Sequence, residues 1–426
     1  MAYSVTQLYT FINDVTKGLV GLQKIKVVDT ESFVSLGQAV LATNTDVNAF
    51  YSALAARIGR TAFLSRVLEL NDDIERDPLD FGAALQKISI SSISRTVANE
   101  SWKTTGGNLA YTQDGTKIFA TVYTNKGTFE METKVIYDYQ LKDAFTSEMN
   151  MAALTDLIFT DMYNGMTLAK MGLVDTTVCT AAALACSTET TKKTCINLLT
   201  SYNQIFTTAT LSAEDALYNA EFLKFAGSEI RKYTKKLRKP SVLYNTLGHE
   251  KWTTEGNLSI RMLADFVDKT QTYLSASTYH KELLELPGYK EVDYWQGKGD
   301  TDDFKQVSMI NVENGDIAEC INGVVAIAHD REAMAITTDF VRTKSMYFPK
   351  QEHTEYYHKA DYGAYVSPCE NCIVFYIDDY YKVPMVKTPP DDWGAADYYT
   401  KDLTDGTYTA AGTTFDDKVQ YYKKNN

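Results

Sequence analysis

The 426-residue chain contains no Walker phosphate loop, no dinucleotide fingerprint, no G-x-S-x-G elbow and no H-E-x-x-H pair. It therefore offers no local signature of nucleotide, serine-hydrolase or zincin chemistry. Positive charge is in short supply, since 42 Lys and Arg face 55 Asp and Glu for a net charge of -13. Neutralising phosphates takes clustered cations, which argues against a protein that coats nucleic acid. No run approaches the roughly 20 apolar residues of a membrane span. The longest are AAALAC, Ala181 to Cys186, and VVAIA, Val324 to Ala328. The opening MAYSVTQLYTFINDVTKGL lacks the basic start, apolar block and cleavage site of a secretory signal, so cytosolic synthesis is expected. Six cysteines over this length make no disulfide framework. Cys179, Cys186 and Cys195 fall in a Thr/Ala-rich stretch read as a loop insertion, and in a reducing cytosol free thiols are expected.

What is present is an ordinary soluble composition, 44% hydrophobic and 23% charged, on a chain long enough for two or three domains. Tyrosine is abundant at 29 residues. It suits interfaces because it joins a large area and few rotors to a polar tip, although many Tyr simply pack on sheets.

Residues 1–84 read as short helices and loops, among them Val5 to Leu19 and Asp46 to Ile58, where Phe50, Leu54 and Ile58 recur every fourth residue. Residues 85–140 are β-rich. LQKISISSIS alternates Ile88 and Ile90 with polar partners, and Asn125-Lys126-Gly127 between two apolar strands predicts a hairpin. The second of those strands, Thr128 to Tyr139, would run roughly 40 Å, too long to be stable as an isolated ribbon. A helix follows from about Leu141 to Met171, roughly 45 Å long, ending near Gly172. Ser212-Ala-Glu-Asp215 predicts a cap for a helix running towards Arg238, stopped by Pro240. Residues 241–335 read as α/β, with a strand Ser241 to Tyr244, a helix about Gly256 to Leu286, a strand Val324 to His329 and a helical turn at Asp330 to Ala335. Strands return over 336–385, and residues 386–426 read as an extension lying over a surface or partly ordered.

Cys369-Glu-Asn-Cys372 is the one motif suggesting metal or redox chemistry. With His353 or His358 it could supply zinc ligands for a metal-binding enzyme. A turn between two β segments, with Pro368 and Asn371 as turn residues, is the stronger reading. Asp300, Asp302 and Asp303 begin like a calcium loop, but the Gly and Glu that must follow are missing. His329 closes an apolar strand, which fits a structural role. The cluster RKYTKKLRK, Arg231 to Lys239, sits at a helix C-terminus, where cations complement the dipole. No catalytic, cofactor or metal residue is assigned.

The order of elements carries more than any motif. An arm, a ribbon about Lys87 to Tyr139, a helix about Leu141 to Met171, an α/β portion with VVAIAHDREAMAITTDF and closing strands follow one another. This α+β order resembles the major capsid proteins of tailed bacteriophages, of the Hong Kong 97 type, a fold also seen in encapsulins. MAYSVTQLYTFINDVTKGLVG and IGRTAFLSR are similar to the starts of such capsid proteins. The resemblance implies an N-terminal arm (1–84), an extended β-hairpin loop (85–140), a peripheral domain with a spine helix (141–240 and 336–385), an axial domain (241–335) and a C-terminal extension (386–426). It implies a non-enzymatic shell protein that assembles with many copies of itself, with portal, scaffolding and decoration proteins as further partners. The shell would be an icosahedral head, built in the host bacterial cytoplasm, enclosing double-stranded DNA without sequence-specific binding and without a membrane. An encapsulin-like cargo shell is the alternative. On this reading Trp102, Tyr123, Asn125, Lys126, Phe129 and Met131 are expected to contact neighbouring subunits.

Overall fold

The computed structural model describes residues 5–17, 26–40, 72–76, 85–93, 118–123, 126–130, 134–137, 148–187, 191–206, 210–277, 288–296, 303–314, 317–351, 353–390, 393, 398–412 and 414–425. The Asp46 to Ile58 helix expected from the sequence lies outside them. The chain divides into two units, one of residues 1–83, 124–173 and 336–364, the other of 84–123, 174–335 and 365–426.

In the first unit, helices Val5–Thr16 and Thr30–Val40 bury Ile12, Val15, Phe33, Leu36 and Val40, spaced at three and four residues. Asn13 bridges to the chain between the helices. Its Nδ2 donates to the Val27 carbonyl and its Oδ1 accepts from the Val27 N–H, both at 2.8 Å. The sheet is built on two long strands, Met334–Phe348 and His353–Val366. Glu75–Arg76 pairs in parallel with the first, Glu75 opposite Ile336. Lys126–Glu130 and Lys134–Tyr137 both pair antiparallel with the second, Phe129 opposite Ala360 and Val135 opposite Glu355.

This pairing corrects the hairpin expected at Asn125-Lys126-Gly127. Ile118–Tyr123 pairs back onto Leu85–Ile90, while the strand that follows the supposed turn joins His353–Val366. A 14-residue strand offers a longer ladder than a local partner, and non-local ladders leave no trace in local turn chemistry.

In the second unit a five-stranded sheet runs in the order Cys195–Asn197, Cys372–Tyr376, Val324–Asp330, Leu258–Leu263, Lys290–Val292. Every residue of Val324–Asp330 is buried, as befits a central strand. Helices Leu198–Ile205, Ala220–Lys236 and Ala264–Ser277 belong to this unit. Their buried residues include Leu198, Leu199, Phe222, Leu223, Ile230, Phe266 and Val267.

Several expectations are corrected here. The long helix is Glu148–Ser187, so it passes through Gly172 and includes the Thr/Ala-rich stretch. Ala181, Ala182, Ala183 and Ala185 are buried within it, and Ala is the best helix former. Cys186 at its end and Cys195 lie 5.1 Å apart at Cα and form a disulfide, while Cys179 stays a free, buried thiol. The window Thr160–Ser187 is long and apolar enough by composition to cross a membrane. Its residues Val174, Val178, Cys179 and Ala182 are instead buried in protein. Ser212 does cap a helix, accepting from the Asp215 N–H, but that helix stops at Ala216 and a second starts at Ala220, capped by Asn219. Ser241 makes an isolated bridge with Lys251, not a strand. The expected helix from Gly256 begins with the strand Leu258–Leu263 and turns helical at Ala264. After Asp330 the chain makes a turn and enters the next strand at Met334.

The C-terminal segment is a folded four-stranded sheet ordered Tyr380–Lys382, Tyr422–Lys424, Tyr398–Lys401, Tyr408–Ala410. Trp393 meets Tyr398, Phe415 and Tyr421 at ring distances of 4.8–5.0 Å, an aromatic nucleus of its own.

Candidate inter-subunit surface

Leu85–Ile90 and Ile118–Tyr123 form a separate two-stranded ribbon in the second unit, with Ile90 opposite Ile118 and Ser89 opposite Phe119. Side chains alternate across a strand, so Lys87, Ser89, Phe119 and Tyr123 share one face and Ile88, Ile90 and Ile118 the other. The first face is anchored in part by its own chain, although Phe119 stays 46% exposed. Lys87 Nζ donates to the Glu332 carbonyl at 2.7 Å and pairs with Glu370 at 3.2 Å. Phe119 lies 4.7 Å from the His249 ring, and Tyr123 lies 4.7 Å from Tyr365. Beyond the ribbon, the Glu250 N–H donates to the Ser91 carbonyl and the Glu250 carboxylate accepts from the Ile93 N–H. Burial lowers the His249 pKa, with Lys251 adding to the effect, and burial raises that of the Tyr123 hydroxyl.

The second face is bare. Ile88, Ile90 and Ile118 are 65%, 51% and 66% exposed. Three β-branched apolar side chains on one face of a two-stranded ribbon make a contact surface with no partner among the described residues. LQKISISSIS showed the alternation of Ile88 and Ile90. Ile118 was missed because its strand was assigned to the wrong partner.

Of the residues expected at this surface, Tyr123 faces Tyr365 of the same chain. Lys126 and Phe129 stand opposite Gly363 and Ala360 in the other unit's sheet. Trp102, Asn125 and Met131 lie outside the described residues.

Cys369 sits in a turn, as the plain reading had it, and Cys372 opens the next strand. Burial pushes the Cys372 thiol up to about 12, far from a reactive thiolate. His353 stacks on Phe348 and meets Glu355 at 3.3 Å, and burial lowers the His358 pKa. Among the described residues no group of three or more His, Cys, Asp and Glu gathers to hold a metal. His329 is fully buried between Arg261, which donates to its Nε2 at 3.4 Å, and the Asp330 carbonyl, which accepts from Nδ1 at 3.0 Å. Asp303 caps the helix Phe304–Val307. Within the basic cluster, Lys232 pairs with Glu229 and Arg238 with Glu255, and Lys236 lies over the Tyr233 ring.

The chain is thus a two-unit α+β protein with a long helix and an exposed apolar row on a two-stranded ribbon. The model of the Phi29-like phage major capsid protein family matches residues 12–376, and the chain belongs to that family. It is a major capsid protein, a component of a phage head shell built from many copies. No curated protein matches the chain. Among solved structures, the capsid of Staphylococcus phage Andhra is 10% identical, with 74% of this chain and 89% of that chain covered and a TM-score of 0.42. The native bacteriophage P68 structure of head fiber and inner core protein gp22 is 10% identical, over 74% and 87%, at 0.47. The capsid of the cyanophage P-SCSP1u is 11% identical, over 74% and 92%, at 0.39.

Proposed function

We propose that copies of this chain close into an icosahedral head around double-stranded DNA, and that the ribbon Leu85–Ile90 with Ile118–Tyr123 lies on a neighbouring copy. The observation carrying this reading is the bare row Ile88, Ile90 and Ile118 on a ribbon whose other face is already anchored. Closed symmetric arrays are made from such self-complementary edges. The extended loop is drawn at 85–123, because the strands within 126–137 hydrogen-bond to His353–Val366. The arm, the peripheral and axial domains and the C-terminal extension keep the roles the resemblance implies. Trp102, Asn125, Lys126, Phe129 and Met131 remain proposed contacts, as does Tyr123 through the ribbon it belongs to. A net charge of -13 suits a wall that encloses DNA without gripping it. Assembly takes place in the host cytoplasm with scaffolding, portal and decoration proteins, and the chain is not an enzyme.

The test is electron microscopy of the expressed chain beside a variant in which residues 94–117 are replaced by a short turn. Closed shells from the first and folded, unassembled subunits from the second are expected. A shortened subunit that still closes shells refutes the role of the loop. One that cannot fold shows that the loop belongs to the core.

A further inference from the structure

The C-terminal sheet is fastened to its unit through ionisable side chains almost cut off from water. The Lys401 side chain is 4% exposed and that of Asp378 is 7% exposed. Lys401 Nζ stands 4.0 Å from Asp378 Oδ2 and donates instead to the Cys320 carbonyl at 2.8 Å. Asp378 Oδ2 accepts from the Tyr408 hydroxyl at 2.7 Å, and Oδ1 accepts from the Tyr380 N–H at 3.0 Å. Glu319, next to Cys320, meets Lys382 at 3.3 Å. The Tyr408 and Tyr422 rings lie 4.9 and 5.9 Å from the Lys401 Nζ.

We propose that Lys401 and Asp378 condense into an isopeptide bond within the chain. The Lys401 Nζ lone pair attacks the Asp378 Cγ and a C–N bond forms. The proton shed by the nitrogen passes to the departing Asp378 hydroxyl. The Cγ–O bond breaks and one water leaves. No oxidant or co-reactant is consumed.

The surroundings supply what this step needs. An amine attacks only when uncharged, and a carboxyl gives up its oxygen only when protonated. Burial lowers the Lys401 pKa against the opposing pull of Asp378, and it raises those of Asp378 and Glu319. A charge-assisted ion pair would close to about 2.7–2.9 Å. These two groups are held near each other while each bonds elsewhere, a short approach from reaction. The Tyr408 hydroxyl also donates to the oxygen on which negative charge would grow.

Intact-mass measurement of the full chain decides the matter. The expected product is about 18 Da lighter than its sequence mass, the loss of one water. Its peptide map should contain a branched peptide joining Lys401 to Asp378, uncut by trypsin after Lys401. Lys401→Arg should restore the full mass. Asp378→Asn should close with loss of ammonia instead, about 17 Da. Full sequence mass in both the expressed chain and assembled particles overturns the proposal, as does a deficit that maps elsewhere. The wild-type map remains decisive even if a variant fails to fold.

Discussion

Replacing Ile88, Ile90 and Ile118 together by Thr should abolish shell assembly while leaving the subunit folded. Thr keeps the β-branched shape, so strand propensity is retained. The loss within the subunit is confined to cross-strand contact, chiefly Ile90 with Ile118, at roughly 0.2–1 kcal/mol. Assembly suffers differently. Fully burying an Ile side chain is worth about 1.5–3 kcal/mol. With 51–66% of each residue still exposed in the single chain, a neighbour has about 1–2 kcal/mol to gain per side chain. Three such losses sum to about 3–6 kcal/mol per ribbon. At 1.4 kcal/mol per tenfold, each contact weakens by roughly two to four orders of magnitude.

The assay is sedimentation with light scattering over a concentration series, beside thermal melting of the unassembled subunit. The variant should melt close to wild type and stay unassembled at concentrations where wild type closes shells. Assembly of the triple variant at the wild-type threshold would refute the reasoning. A large fall in subunit stability would also refute it, because the row would then be core.

Gly323 sits at φ +64°, its carbonyl accepts from the Ile377 N–H at 2.8 Å, and a Cβ there would run into the Ile377 carbonyl oxygen. Gly323→Ala should therefore cost about 2–4 kcal/mol in urea unfolding. The Cys186–Cys195 disulfide closes a short loop, separation 9, so reductant should lower stability by about 2.5 kcal/mol. A Cys186→Ala/Cys195→Ala variant should be indifferent to reductant. His249 has a folded pKa below its ordinary 6.5, so its contribution is fully present above the unfolded value and is lost as pH falls through the folded one. Urea midpoints should drop between about pH 7 and pH 5, and His249→Asn should flatten that slope.

Local signals were legible where the physics was local. The cap at Ser212 was readable because its side chain serves an N–H three residues on. The strands from Met334 and His353 were readable from their Tyr, Phe, Val and Ile, and the order of elements carried the capsid resemblance. Pairing was not legible. Lys126–Glu130 looks like half of a hairpin because Asn-Lys-Gly precedes Thr128, yet its hydrogen bonds go to Lys359–Gly363. LSIRML gave no alternation because residues 259–263 are all buried, and period two vanishes in a strand covered on both faces. The C-terminal strands are three or four residues each, too short for any period.

The same distinction governs the surface. Tyr123, chosen by residue type, turns its ring to Tyr365, while the bare positions are isoleucines that any sequence reading assigns to a core. Aromatic content reports where contact area is available. Which face is left uncovered depends on the partner a strand finds within its own chain. On the proposed reading the most informative residues are therefore apolar ones that local patterning marks for burial and the fold leaves exposed, since a neighbouring copy would complete that burial.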